Sequence, residues 1–355
     1  MENYDKIPFM KANCEQFVRE NGYEVKENCL IELHLHLDGS VSVGSARILS
    51  EMAGIKIPDD DKALKSVLVC PQTCGSLESY LDCFTLPVSL LQKSECISFA
   101  VRKLCDELRT VGCIYAEIRF APQKHCHDGL SQEEAVEAAI SGLASSQIKA
   151  RLILCCMRDP SNEKANFTTL ELAEKYLNKG VCACDLAGNE KAFPNSLFEH
   201  LFAFAYAEGL PFTIHAGEAA GAGSVESAVR MGASRIGHGI RAVEDPELVK
   251  MLAAKNIPLE ICPTSNLNTG VYHEISSMPL PDLIRAGVAV TVNSDNMSVS
   301  DTDVRKELNK ISKAFSLKQK DIKKLLLNSA NAAFLPLQEK SELVSEINRC
   351  MPPAD

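Results

Sequence analysis

Short apolar runs alternate with longer amphipathic segments along most of the chain, and each period predicts its own element. Eight runs have strand length: Cys29–Leu37, Cys113–Phe120, Arg151–Met157, Val181–Ala187, Pro211–Ala216, Arg235–Gly237, Ile257–Cys262 and Val288–Asn293. Each passes into polar or turn-rich sequence before a helix-like stretch. Ser131–Gln147 opens with Ser131 at the N-cap and Glu134 three residues on, the spacing of a capping box. Phe167–Asn178, Asn195–Glu208, Val225–Met231 and Asp245–Lys255 fill later gaps. The gap from Val43 to Gly112 has room for several helices, and a last helical region runs from Ser316 through Leu335 and beyond.

Strands alternating with helices in this way predict an α/β fold, a parallel (β/α)8 TIM barrel with extra helices inserted after strand 1 and at the C-terminus. A doubly wound open sheet is the alternative, but no Gly-x-Gly-x-x-Gly follows any of the runs. No linker, low-complexity tract or repeat divides the sequence, so residues 1–355 are expected to form a single barrel domain.

Composition narrows the function. The 355 residues are 46% hydrophobic and 24% charged, ordinary for a soluble protein with a sizeable core. A net charge of -10 argues against a basic nucleic-acid surface and suits a small neutral substrate. Met1–Glu20 has no continuous apolar stretch of the signal-peptide kind, and no apolar run elsewhere is long enough to cross a bilayer. A cytoplasmic location without a membrane or an obligate protein partner is expected. The 15 cysteines fit that setting: the count is odd, no Cys-x-x-Cys occurs, and Cys113, Cys155, Cys156, Cys182, Cys184 and Cys262 sit inside apolar runs. They read as reduced, small buried hydrophobes.

A barrel gathers its chemistry at the C-terminal ends of its strands. His34 and His36 lie near the end of the first run, His215 ends the fifth, His238 follows the sixth and Asp295 follows the eighth. Four of the 8 histidines thus occupy mouth positions. His34 and His36, two apart on a strand, point to the same face. With His215 as a third imidazole and Asp295 as a hard oxygen donor, they suit zinc and leave room for a water. A His-x-His pair alone is more often structural. Its coincidence with Ile-His-Ala-Gly-Glu (214–218), Gly-His-Gly (237–239) and Asn-Ser-Asp-Asn (293–296) favours the metal.

Seven motifs, in order, extend the pattern: Glu-Leu-His-Leu-His-Leu-Asp-Gly-Ser (32–40), Tyr-Ala-Glu-Ile-Arg-Phe-Ala-Pro (115–122), Asp-Leu-Ala-Gly (185–188), Thr-Ile-His-Ala-Gly-Glu (213–218), Arg-Ile-Gly-His-Gly (235–239), Cys-Pro-Thr-Ser-Asn (262–266) and Asn-Ser-Asp-Asn (293–296). Through them the chain, from Glu32 to about Asn331, resembles the adenosine deaminase family of the amidohydrolase superfamily. The resemblance implies deamination of a purine nucleoside with one Zn2+ per chain held by His34, His36, His215 and Asp295. It implies that Glu218 protonates purine N1 and that His238 orients and deprotonates the attacking water, while Asp295 accepts a hydrogen bond from the resulting hydroxide. His36 also borders the substrate. The Gly188 N–H would hold N3, and Asp38 the ribose 5′-hydroxyl. Zinc lowers the pKa of a bound water to about 7. An acid at N1 must stay protonated, which needs a raised pKa for Glu218, and His238 must sit close to the operating pH.

One position departs from the pattern. Many members carry a second aspartate after the metal-ligand aspartate, facing purine N7; here that place is Asn296, followed by Met297 where those members have proline. An amide can donate to N7, so activity is expected to survive. Leu77, Tyr80, Leu81 and Phe84 fall at helical spacing. Leu77 and Phe84 are read either as an apolar lid over the nucleoside or as an ordinary buried helix face. Lys124-His125-Cys126-His127 reads as a solvated loop, His200 and His273 as structural, and Ser265-Asn266 as ordering the loop after strand 7.

Two other functions compete. A sister deaminase would act on adenine or 6-aminodeoxyfutalosine, but such relatives typically carry Glu in a His-Leu-Glu-Gly string where this chain has Asp38. AMP deamination lacks an obvious basic phosphate cluster. A non-catalytic nucleoside-binding barrel would be expected to have lost a ligand or Glu218, and all are present.

Overall fold

The computed structural model describes residues 22–71, 74 and 76–352. The reading of Met1–Glu20, and Cys14 with it, lies outside the described residues. Eight parallel strands follow one another: β1 (Leu30–His36), β2 (Cys113–Phe120), β3 (Lys149–Met157), β4 (Val181–Ala187), β5 (Thr213–Ala216), β6 (Arg235–His238), β7 (Leu259–Ile261) and β8 (Val290–Val292). They form two four-stranded ladders, β1 to β4 and β5 to β8. A bridge between Cys184 and Phe212 joins the ladders on one side. On the other, the segment after β8 pairs with β1: His36 N donates to Asp295 O at 2.8 Å and Asp295 N to His34 O at 2.9 Å. The barrel is closed.

All eight expected strands are present: β1, β5, β7 and β8 are shorter than their apolar runs, β2 and β4 match them, and β3 and β6 are longer, β6 taking in His238 as its last residue. Ser131 and Glu134 form the expected capping box of helix Gln132–Ala144. The helix expected from Phe167 begins at Glu163, because the turn Pro160–Asn162 and the Asp159 side chain start it earlier. Asn195–Phe198 is a 3-10 turn ahead of helix Glu199–Ala207. Helix Val304–Phe315 has no counterpart in the sequence reading. Its buried face is sparse, with Val304, Leu308 and Ile311 amid charged residues, and its N-cap, Asp303, takes the Lys306 N–H at 2.9 Å.

Between β1 and β2 lie helices Val43–Ala53, Asp61–Leu68, Leu77–Leu81, Thr85–Leu90 and Ser94–Val111. Gln319–Ala332 and Leu337–Cys350 follow at the C-terminal side. Among the described residues, no helix is long and apolar enough to cross a membrane.

Alternate strand residues divide the barrel wall. Leu33, Leu35, Ile118 and Ile214 are fully buried in the main apolar core. Their chain neighbours are polar, and several, among them Glu117 and Arg119, are charged. Arg119 on β2 reaches Glu260 on β7 at 2.9 Å and Asp185 on β4 at 3.0 Å, and Arg235 on β6 reaches Glu117 on β2 at 2.6 Å. Barrel interiors are commonly packed with branched aliphatics. Here an ionic layer replaces part of that packing.

Glu32 fastens the seam between β8 and β1. Its carboxylate accepts the Ser294 N–H at 2.9 Å, the Ser294 hydroxyl, and the His34 N–H at 3.1 Å. Burial pushes its pKa up to about 7 against these bonds. Replacing Glu32 with Ala strands those buried donors and is expected to lower unfolding stability by about 3 kcal/mol in urea denaturation. An unchanged midpoint would contradict the seam's role.

Candidate active site

Three imidazoles and one carboxylate converge at the C-terminal mouth, and carboxylates behind them set their tautomers. His34 Nδ1 lies 2.7 Å from Glu260 Oε2, and His215 Nδ1 lies 2.9 Å from Asp185 Oδ2. An ionised carboxylate only accepts, so each Nδ1 carries the proton and each Nε2 presents a lone pair. The His34 Nε2 is buried with no hydrogen-bond partner. His215 Nε2 is 3.2 Å from His36 Nε2, while Asp295 Oδ1 is 3.5 Å from His34 Nε2 and 3.4 Å from His36 Nε2. One ligand atom from each of the four residues lies within 4.8 Å of the others.

Lone pairs facing one another in a buried pocket call for a cation. The donor set fits a divalent metal of zinc's coordination habits. Burial holds His36 well below the ordinary histidine value and lowers His215 as well, favouring the neutral form that ligation requires. A second grouping, His34, His238, Cys262 and Asp295, is also close enough. It suits a metal less well, because burial pushes the Cys262 thiol far up and its Sγ donates to Glu260 O at 3.3 Å.

Two of the converging residues adopt left-handed backbone, His238 with φ 57° and Asp295 with φ 60°. Such φ values in non-glycine residues cost on the order of 1–3 kcal/mol, and they turn both side chains into the mouth. His238 Nε2 lies 3.6 Å from Glu218 Oε2, and its Nδ1 lies 3.2 Å from Asn266 Nδ2. Burial, then the neighbouring His34, holds His238 well below its ordinary value. That shift favours the neutral imidazole, the form that can accept a proton. Asn266 also does more than order its loop, since it touches His238 directly.

Glu218 is a buried carboxyl whose pKa is raised well above normal by burial, then by the charges of Asp295 and Glu190. Glu190 went unnoticed in the sequence. Its carboxylate accepts four backbone N–H groups, from Gly217 at 2.7 Å, Glu218 at 3.1 Å, Ala219 at 2.7 Å and Ala220 at 3.0 Å. Those bonds fix the corner that carries Glu218. The Asp-Leu-Ala-Gly motif two residues upstream was the available signal.

A cavity of about 430 Å³ opens above this cluster, lined by every candidate residue except His34, which lies behind. Asp38 is buried at its edge in the turn Asp38–Ser40, with its pKa raised to about 6 by burial. Gly188 follows β4 with φ 108°. Asn296 is buried with its side chain against Gly39, the residue after Asp38. Leu77 and Phe84 line the cavity and also pack on an apolar cluster with Tyr80.

The loop after β2 is not wholly solvated, as was expected. His125 is fully buried, with Nδ1 3.0 Å from Leu91 O, and burial lowers its pKa to about 4. His127 is exposed. His200 is a surface group 3.0 Å from Glu163. All 14 described cysteines are free, and most are buried.

A closed parallel barrel with this mouth belongs to the amidohydrolase class of α/β barrels. Residues 29–350 match the adenosine deaminase family, and the chain belongs to it. An adenosine deaminase of Haemophilus ducreyi is 46% identical over 332 residues, covering 91% of this chain and 96% of that protein. The adenine deaminase of Arthrobacter aurescens superposes with a TM-score of 0.82 at 28% identity, over 90% of this chain and 98% of the other. An amidohydrolase from Burkholderia ambifaria, solved with bound Zn, shares the fold with a TM-score of 0.81 at 20% identity, over 91% and 92%.

Glu190→Ala leaves four N–H groups without their acceptor. The variant is expected to lose about 3 kcal/mol of stability. Thermal unfolding checks this, and a melting temperature equal to the parent's would rule it out.

Proposed function

We propose that this chain hydrolyses the 6-amino group of adenosine, and of 2′-deoxyadenosine, to give inosine and ammonia in purine salvage. The observation that carries the reading is a buried Glu218 carboxyl, its pKa pushed up by burial, facing a His34, His36, His215 and Asp295 donor set across one nucleoside-sized cavity. Family membership and the curated relative at 46% identity support the same reaction. One Zn2+ held by those four residues supplies, when bound, a water acidic enough to react at neutral pH.

The chain's own groups then have distinct tasks. Glu218 donates its proton to purine N1, drawing electrons out of the ring and opening C6 to attack. Neutral His238 takes a proton from the attacking water, whose remaining hydrogen bonds to Asp295. The Gly188 N–H holds N3, Asp38 holds the ribose 5′-hydroxyl, and Asn296 faces N7. His36 borders the purine, while Leu77 and Phe84 cover its apolar face and exclude water. The chain works as a single barrel unit in the cytoplasm, on a small molecule, without nucleic acid, membrane or an obligate protein partner.

Adenine is the second substrate to weigh, because a solved structure at 28% identity is an adenine deaminase. Asp38 favours the nucleoside, since it gives the ribose a buried partner that the free base cannot use.

Ultraviolet assays of adenosine, adenine, AMP and 6-aminodeoxyfutalosine decide among substrates: adenosine is expected to turn over fast and the rest to stay nearly inert. Fast adenine turnover with inert adenosine would overturn the assignment. Asp38→Glu is expected to depress adenosine turnover far more than adenine turnover. The raised pKa of Glu218 fixes the sign of the pH profile. A carboxyl raised above its ordinary value keeps its proton to higher pH and loses it as pH rises further, so kcat should fall on the alkaline side. Glu218→Gln is expected to lower kcat by about 10²–10⁴-fold and to abolish that limb. A full alkaline limb in the variant would assign it elsewhere.

A further inference from the structure

The loop after β8 and the helical insertion after β1 meet at a polar contact set inside apolar surroundings. Tyr80, on helix Leu77–Leu81, is buried among Cys70, Cys83 and Val299. Its oxygen nevertheless has two partners: Ser300 Oγ at 2.7 Å, and Asn296 Nδ2, which donates to it at 2.9 Å. The other end of the Asn296 amide, Oδ1, is buried with no hydrogen-bond partner. It rests on Gly39, where an added Cβ would fall 1.7 Å from it. Both Tyr80 and Asn296 line the cavity.

An amide presents a donor at one end and an acceptor at the other, whereas purine N7 only accepts. Nothing in an asparagine side chain itself decides which end faces the ligand. We propose that Tyr80 is a positioning residue: its hydroxyl orients the Asn296 amide nitrogen-first, so that the site selects purines carrying an acceptor at position 7.

When Tyr80 gives its single proton to Ser300 Oγ, 2.7 Å away, its oxygen offers Asn296 only lone pairs. The amide must then turn its nitrogen toward Tyr80, using one hydrogen there and keeping the second for the cavity. The reverse orientation would set two oxygens against each other at Tyr80 and an oxygen against N7. Gly39 makes the orientation possible by leaving space for Oδ1, which gives up its own hydrogen bond. A carboxylate at position 296 would have to be protonated to donate, so asparagine with a tyrosine partner delivers a neutral donor without a titration step.

This inference rests on the reading of Asn296 as the N7 contact. Tyr80→Phe keeps the ring packing and removes only the hydroxyl. The test compares it with the parent, Asn296→Ala and the double variant, reading kcat/KM for adenosine and calorimetric affinities for inosine and 7-deazainosine, which has C–H in place of N7. Tyr80→Phe is expected to lower kcat/KM for adenosine and affinity for inosine by about tenfold. Its affinity for 7-deazainosine should stay within about twofold of the parent's, and the double variant should be no worse than Asn296→Ala. Unchanged inosine affinity, an equal loss on both nucleosides, or losses that multiply in the double variant would overturn the inference. A parent unable to deaminate adenosine would refute the proposed reaction instead, and the two affinities would still decide the role of Tyr80.

Discussion

The site depends on a guanidinium held between two carboxylates in the middle of the barrel. Arg119 bonds Asp185 at 3.0 Å and Glu260 at 2.9 Å, and each of those carboxylates holds a histidine by its Nδ1. Burial alone would push both acids toward the neutral form. For Asp185, His215 and Arg119 outweigh that push; for Glu260, Arg119 and Arg235 do, and both carboxyls stay charged. A charged acceptor at Nδ1 forces the proton there and leaves Nε2 bare at the mouth. The ionic layer therefore determines the tautomers above it.

Such a layer is expensive to build, because each ion gives up its hydration on entering the barrel. Removing one partner would leave an unpaired buried charge, so the network holds together as a unit. Its placement one layer beneath the mouth links fold to chemistry: β2, β4, β6 and β7 each contribute a charged side chain to it. The strained backbone at His238 and Asp295 is tolerated on top of this rigid layer, consistent with strain residing where side chains must be aimed.

The strand pattern, the mouth histidines and Asp295 were legible because they obey local rules: a period of two, strand ends, and a spacing of two residues between His34 and His36. The supporting groups were harder to see. Glu117 and Arg119 sit two apart in an apolar strand, which is a visible anomaly, but their partners Arg235 and Glu260 lie on other strands and only closure brings them together. Glu190 is likewise meaningful only once the chain folds back to offer it four N–H groups. Tyr80 looked like one more apolar position on a helix face, because the hydroxyl's partners are more than 200 residues away. The downward shift at His238 was not visible in the sequence, since its burial among other imidazoles arises only on folding.

The most direct test of this account is the zinc affinity of Asp185→Asn against the parent, measured by chelator competition at neutral pH with circular dichroism as a fold control. An amide at position 185 can hold the His215 ring but cannot demand its proton at Nδ1. The account predicts zinc binding weaker by about 10–100-fold in a folded protein. Parent-like affinity in a folded variant would show that the buried carboxylates do not prepare the metal site.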